Sequence, residues 1–232
     1  MKKILCIIPA RGGSKGIKDK NIKIIGGKHL IEYTIEQALD TKLFDKIVVS
    51  SDSQKILDIA SKYPVESFNR NSEIATDVSP ISDTIKSVIS ELKVKFDYIV
   101  LLQPTSPIRL PMQINEAFKI FMANKKANSL VSVCEMDDIH PGRMYWKNPN
   151  SPELMEPIFP KFETMRRQDL PPALFRNGAM YMVKTKEFEI HENIIVNPVM
   201  FYSMPQSQLL NIDHPRDLEV AEVLLRYNGI LK

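Results

Sequence analysis

The sequence predicts an α/β fold of three layers, with a mostly parallel sheet covered by helices on both faces. Three observations carry that reading. Short, continuous apolar runs at residues 4–8 and 97–102 have the character of strands buried on both sides. Segments with helical spacing, about 10–15 residues long, alternate with the strands. The first run stops at Pro9 and opens at once into a glycine-studded basic loop, as a strand does when it delivers a ligand loop at the carboxyl edge of an open sheet.

Taken in order, residues 30–39 put Leu30, Ile31, Thr34, Ile35, Ala38 and Leu39 on one helical face. Residues 46–50 form a short β-branched strand, and Ser51-Asp-Ser53 ends it and is expected to cap the next helix. That helix turns Ile56, Leu57, Ile59 and Ala60 inward and stops before Pro64. Residues 80–93 read as a helix with Ile81, Ile85, Val88, Ile89 and Leu92 inward. The strand at 97–102 runs into Gln103-Pro-Thr-Ser-Pro-Ile-Arg109, a loop punctuated twice by proline. A helix at 112–123 and a strand at 129–134 follow. Strands at 178–183 and 199–203 and a helix at 215–227 close the chain, with Pro215 and Asp217 suited to its first turn.

Residues 137–172 break the alternation. Pro141, Pro149, Pro152, Pro157, Pro160, Pro171 and Pro172 fall there and no period survives, so the stretch reads as a lid or an oligomer arm inserted into a single domain spanning 1–232.

Composition narrows the function. With 44% hydrophobic and 25% charged residues, the 232-residue chain is an ordinary globular one, long enough for a substantial core. Its net charge of +3 is too small for a nucleic-acid binder. Cys6 and Cys134 lie in apolar strand-like runs without metal spacing, as expected of buried thiols in a reducing compartment. The apolar run at 4–8 is too short for a signal peptide, and no run approaches the ~18 residues of a membrane span. The expectation is a cytoplasmic protein with no membrane partner.

The basic loop is the chemical centre. Between Arg11 and Lys28 it carries six cations (Arg11, Lys15, Lys18, Lys20, Lys23, Lys28) against one anion, Asp19, a local excess larger than that of the whole chain. Glycines let backbone approach a ligand closely and the cations supply charge, a combination that suits a polyphosphate. Gly12, Gly13 and Gly16 do not make the dinucleotide or P-loop spacing, and the zinc-protease, serine-hydrolase and paired-cysteine signatures are absent. None of the four histidines (His29, His140, His191, His214) has a metal-like partner in the sequence.

Specific blocks narrow this further. Ile8-Pro-Ala-Arg-Gly-Gly-Ser-Lys-Gly-Ile-Lys-Asp-Lys-Asn21 resembles the signature of the CMP-sialic acid synthetases (N-acylneuraminate cytidylyltransferases), a family that includes the bacterial pseudaminic and legionaminic acid enzymes. Val48-Val-Ser-Ser-Asp52, Arg70 before Glu73-Ile-Ala-Thr-Asp77, Leu101 to Arg109, Arg167-Gln-Asp-Leu-Pro171, Asn177-Gly-Ala-Met-Tyr181 and Ile212-Asp213 extend the resemblance over nearly the whole chain. It implies a Rossmann-like nucleotidyltransferase that joins CTP to a nine-carbon sugar acid and releases pyrophosphate.

The resemblance also implies roles. Arg11 and Lys20 would contact the phosphates as the catalytic pair, with Lys20 on the charge that grows at the α-phosphoryl group. Ala10, Gly12, Ser14 and Asn21 would complete the loop's contacts, and Arg70 and Gln103 would hold the nucleotide. Arg167 would pair with the sugar carboxylate, a task suited to a bidentate guanidinium. Tyr181 and Gln103 would touch the sugar, and Arg143 would reach it across a homodimer. The family commonly offers Asp-x-Asp to Mg²⁺; this chain has Asn211 and Asp213, so Asp213 is the expected main ligand and Asn211 the weaker one. Asp213 also suits a helix cap. Ser79 or Ser82 stands where relatives place a hydroxyl for the nucleotide.

Two alternatives stay open on sequence alone. A CMP-Kdo synthetase usually has Arg-Leu-Pro-Gly-Lys in its opening loop, which this chain lacks. A non-catalytic nucleotide-binding module is favoured only by Asn211, while Arg11, Lys20 and Gln103 argue against it. The opening loop and Ser50-Ser-Asp-Ser53 lean slightly toward the pseudaminic-acid branch.

Overall fold

The structure, a computed structural model, describes residues 2–14, 16–76, 79–136 and 139–231. Lys15 of the basic loop, Asp77 and Val78 of the Glu73–Ile81 region, and Asp137 at the start of the proline-rich excursion lie outside the described residues.

β1 (Ile4–Pro9) is followed by a small hairpin, β2 (Ile24–Ile25) with β3 (Lys28–His29), and by α1 (Leu30–Asp40). Next come β4 (Lys46–Ser51), α2 (Gln54–Ala60), β5 (Glu66–Asn69), α3 (Ile81–Leu92), β6 (Tyr98–Leu102), α4 (Pro111–Ala123) and β7 (Ser129–Met136). The excursion contributes a two-stranded ribbon, β8 (Tyr145–Lys147) with β9 (Met155–Pro157), and short 3₁₀ turns. β10 (Ala173–Lys184), α5 (Thr185–His191), β11 (Val199–Ser203) and α6 (Pro215–Tyr227) complete the chain.

The seven-stranded sheet runs β11-β7-β10-β6-β1-β4-β5. β10 pairs antiparallel with β6 and β7, and every other pairing is parallel. Alternate residues of β1 explain the three layers. Ile4, Cys6 and Ile8 join Ile31 and Ile35 of α1, Ile56 of α2 and Phe118 and Phe121 of α4 in one apolar cluster. Leu5 and Ile7 join Ile85 and Val88 of α3 and Phe188 of α5 in the other. Complete burial of Ile7 and Ile8 stabilises the fold by about 1.5–3 kcal/mol each. α6 stands apart, packing Ala221 and Leu225 on Leu30, Tyr33 and Ile108.

Three differences from the sequence reading have physical causes. β5 was not anticipated; it is an edge strand with three of four residues exposed, so it carries no apolar signal. β10 begins five residues before the expected strand, because a register slip between Arg176 and Tyr181 interrupts its pattern. Of the Ser51-Asp-Ser53 string expected to cap α2, Ser53 at the N-cap makes no side-chain cap bond, and the Asp52 carboxylate is taken up by the Gly12 N–H. Cys6 and Cys134 are buried and free.

Topology concentrates the variable segments at one edge. β1, β4, β5, β6 and β7 all point their carboxyl ends the same way, and β10 enters from that side. The loops after Pro9, Ser51, Asn69 and Leu102, together with the excursion, therefore share the carboxyl edge of the sheet.

Candidate active site

A cavity of about 260 Å³ opens at that edge, lined by Arg11, Ser14, Lys20, Asn21, Arg70 and Gln103, with Ser79, Thr84 and Thr105 beside them. Each side chain arrives from a different element. Arg11 and Ser14 follow β1, Arg70 follows β5, and Gln103 follows β6; Lys20 and Asn21 sit in a 3₁₀ turn closed by the Lys23 N–H to the Lys20 carbonyl. Ala10 is wholly buried beneath the loop, its N–H bonded to the Ser50 carbonyl.

The loop is held from both ends. The Gly12 N–H donates to Asp52 Oδ1 at 2.8 Å, and Asn21 Nδ2 donates to the Arg11 carbonyl at 3.0 Å. Gly16 lies so close to the carbonyl of Asp213 that a Cβ there would meet that oxygen at 2.1 Å, so only glycine fits. This contact brings the carboxyl-terminal part of the chain against the first loop. Lys20 Nζ then donates to Asp213 Oδ1 at 2.8 Å.

Asp213 is not the cap of α6. That work falls to Asp217, whose Oδ2 accepts from the Asp213 and His214 N–H groups at 2.8 and 2.7 Å. The Asp213 carboxylate is thereby left to face Lys20, with 58% of its side chain open to solvent while that of Lys20 is only 11% exposed. Two residues earlier, Asn211 Oδ1 accepts from Ser106 Oγ at 2.8 Å and from Thr105 Oγ1 at 3.4 Å. Among the described residues no group of three His, Cys, Asp or Glu side chains forms a metal cage. One exposed carboxylate and one amide oxygen do fit a magnesium ion that arrives with phosphate, since that ion keeps several waters and takes few protein ligands.

Among the described residues, two buried polar atoms at the cavity have no hydrogen-bond partner: Asn21 Oδ1 and Arg70 Nε. Arg70 is 6% exposed and donates through Nη1 to Thr84 Oγ1 at 2.5 Å. Burial pushes its pKa down, Asp52 opposes that, and the nearby Arg11 adds to it. A buried guanidinium next to a second cation is a setting that an anion would relieve. Ser79 lines the cavity with its hydroxyl bonded to Thr76 and to the Glu73 carbonyl; Ser82 lies on the first turn of α3.

The remaining candidates lie elsewhere. Arg167 opens a 3₁₀ turn and lines a second cavity, about 300 Å³, with Glu135, His140 and Pro171. His140 is committed to structure, accepting from the Gly142 N–H at 2.9 Å and meeting the Pro171 carbonyl at 2.8 Å, so it ties the two ends of the excursion together. Arg143 is exposed at the end of the Pro141–Arg143 turn. Tyr181 is half-buried on β10 against the α3–α5 cluster, and burial raises its hydroxyl pKa. A larger hollow of about 380 Å³ at the opposite edge, around Lys2, Phe96, Asp97 and Thr185, contains none of the residues singled out by the sequence.

Sequence reasoning missed Asp52 as the anchor of the loop, Thr84 as the partner of Arg70, and Gly178. At φ +75°, a Cβ on residue 178 would stand only 3.0 Å from Gln103 Oε1 and 3.2 Å from Asn211 Oδ1, so glycine makes room for both side chains. A glycine directly after Asn177 in an otherwise strand-like run was the available signal.

Comparison with known proteins agrees with this arrangement. The family model described as cytidylyltransferase matches residues 5–224. The chain is 33% identical over 232 residues to a pseudaminic acid cytidylyltransferase of Campylobacter jejuni, covering 97% of both chains. It is 32% identical to the CMP-N,N'-diacetyllegionaminic acid synthase of Legionella pneumophila, again over 97% of each. An N-acylneuraminate cytidylyltransferase of Escherichia coli is 30% identical over 94% of this chain and 51% of its own length. Among solved structures, a CMP:2-keto-3-deoxy-manno-octonic acid synthetase complexed with CTP superposes with a TM-score of 0.71 at 16% identity, covering 97% of this chain and 99% of that one. At that identity the likeness speaks for the fold alone.

Proposed function

The chain belongs to the cytidylyltransferase family, and from that premise we propose that it activates a nine-carbon 2-keto-3-deoxy sugar acid with CTP. The products are the CMP-sugar and pyrophosphate. The observation that carries this reading is the meeting of Arg11, Ser14, Lys20, Asn21, Arg70 and Gln103 around one cavity, with the Asp213 carboxylate on Lys20. A CMP-Kdo synthetase or a non-catalytic module is not favoured, because the relatives that match over the full chain carry nonulosonic acid names.

The reaction forms a bond from the anomeric hydroxyl oxygen to the α-phosphorus and breaks the bond from that phosphorus to the bridging oxygen of pyrophosphate. The hydroxyl proton is released, and pyrophosphate leaves with the bonding pair. Such a displacement needs positioning and charge neutralisation rather than a covalent intermediate. Arg11, Ser14 and the backbone from Ala10 to Gly12 take the phosphates; Asn21 and Arg70 offer their unpartnered atoms to the same ligand. Lys20 neutralises charge that grows on the α-phosphoryl oxygens, moving off Asp213 to do so. Gln103 meets the nucleoside and the sugar. Asp213, helped by Asn211, would hold a divalent cation, Mg²⁺ in the first instance, which neutralises triphosphate charge when bound.

Arg167 and Tyr181 take the sugar acid, Arg167 through its carboxylate. Arg143 reaches that sugar from a partner subunit in a homodimer. The exposed Ile139, Trp146, Leu154 and Met155 of the excursion support such an arm, since they are 57–65% exposed and need covering. No helix among the described residues is long and apolar enough to cross a membrane, and we place the enzyme in the cytoplasm, where CTP is available, with no nucleic-acid or membrane partner.

The experiment is pyrophosphate release with CTP, Mg²⁺ and pseudaminic, legionaminic and sialic acids, with Kdo alongside. Turnover with a nonulosonic acid above that with Kdo is expected. Turnover confined to Kdo would overturn the sugar assignment.

A further inference from the structure

Arg109 is wholly buried, yet the partners of its guanidinium are not carboxylates. Nη1 donates to the carbonyls of Ser106 at 2.6 Å, Gln103 at 3.1 Å and Ala179 at 3.1 Å, and Nη2 donates to Thr34 Oγ1 at 2.7 Å. Burying a cation without an ion partner is expensive, and burial pushes its pKa down to about 9. A structural ion pair at this position would stabilise the fold at lower cost, so the choice of carbonyls calls for a reason.

Those carbonyls share a location. Gln103 lines the nucleotide cavity with its side chain. Ser106 turns its hydroxyl to Asn211 Oδ1 and to the Asn177 carbonyl. Ala179 follows Gly178, whose lack of a Cβ leaves room for Gln103 Oε1, Ser106 Oγ and Asn211 Oδ1, all within 3.2 Å of where that atom would stand. One nitrogen therefore gathers the loop after β6 and the slip of β10, and through Ser106 it fixes the strand of chain that carries Asn211 and Asp213. The glycine loop after β1 has its own anchors in Asp52 and Asn21, and it meets this segment where Asp213 reaches Gly16 and Lys20.

We propose that Arg109 is a positioning residue that sets the nucleoside half of the site, Gln103 against the β10 slip and Asn211, while the glycine loop keeps its own anchors for the phosphates. It touches no substrate. The inference rests on the cytidylyltransferase reading of the cavity.

The test separates the two halves by measuring calorimetric affinities for CMP and for inorganic tripolyphosphate. An ammonium on one stem cannot reproduce the planar fork, so Arg109→Lys should weaken CMP on the order of 10- to 100-fold. Tripolyphosphate, read by the glycine loop, should stay within about twofold of wild type, a change too small to be a lost hydrogen bond. Thr34→Val removes the one Arg109 partner on α1, remote from the nucleoside; it should lower the melting temperature and leave both affinities unchanged. Equal losses for both ligands in Arg109→Lys, no loss for either, or a CMP loss in Thr34→Val as large as that in Arg109→Lys would each overturn the proposal.

Hydrogen exchange on the wild type provides an arm that does not depend on a variant folding. The Ser106 and Ala179 amides, bonded to the Gln103 carbonyl and to Asn177 Oδ1, should be protected without ligand and unchanged by CMP. Free exchange that CMP suppresses would mean that the nucleotide, not Arg109, orders the segment, and would sink the idea. Wild-type protein that binds neither ligand would instead bring down the nucleotide-site reading itself.

Discussion

Replacing Lys20 by methionine keeps the apolar stem of a side chain that is 11% exposed and removes only its charge. In the folded protein that charge sits 2.8 Å from Asp213 Oδ1, but the carboxylate is 58% open to water. Solvent screens the pair, so its loss should lower stability by less than about 1 kcal/mol, or about 2–4 °C in a domain of this size. The chemical step should suffer far more. A positioned donor aimed at developing charge is worth about 2.7–4 kcal/mol, a loss of about 10²–10³ in kcat. The assay is steady-state pyrophosphate release with CTP and a nonulosonic acid, paired with thermal melting of the same preparation. A kcat near that of wild type, with stability preserved, would refute the role given to Lys20; a collapse of the fold would show that the ion pair is mainly structural.

Other perturbations test separate parts of the account. Asn211→Asp adds a negative charge beside Asp213 while its carboxylate still accepts from Ser106, so Mg²⁺ binding should tighten and half-maximal activity should need less of the ion; an unchanged titration removes position 211 from the metal's surroundings. Asp217 has its carboxyl pushed up by burial and, more strongly in sum, held down by the Asp213 and His214 N–H groups, so its pKa lies below the ordinary 3.8. Its charged form therefore adds stability above the unfolded value, and that stability is lost as pH falls through the folded one. Asp217→Asn should melt lower than wild type at neutral pH, with the gap closing below about pH 4; a gap constant across that range would contradict the assignment. Trp146→Glu should halve the sedimenting mass if the excursion is the dimer arm, and a wild type that sediments as a monomer would remove the dimer altogether.

What the sequence made legible follows from what periodicity can encode. β1 and β6 are buried on both faces and read as unbroken apolar runs, and α1 keeps its inward stripe almost residue for residue. β5 escaped because an exposed edge strand has no such run, and the first half of β10 because Pro171 and Pro172 precede it and Gly178 interrupts it. α5, a seven-residue helix, is too short for its spacing to register. Family motifs named Lys20 and Asp213, yet no local pattern relates residues 193 positions apart, so their 2.8 Å contact had to come from the fold. The same holds for Asp52 on Gly12 and Arg70 on Thr84. The Ser51-Asp-Ser53 string read as a helix cap because such strings before a helix usually are one; here Asp52 accepts from the loop amide of Gly12. Arg109 gave no sign of its carbonyl clamp, since burial of a guanidinium without an acid is invisible to composition.

The central claim is transfer of a cytidylyl group to a nonulosonic acid, and its most direct measurement is the product itself. Incubation with CTP, Mg²⁺ and a panel of pseudaminic, legionaminic and sialic acids, followed by quantitation of pyrophosphate and of the CMP-sugar, should yield the two in equal amounts with at least one acid. Both should vanish when either CTP or the sugar acid is left out. Pyrophosphate without CMP-sugar, or no turnover with any acid of the panel, would contradict it.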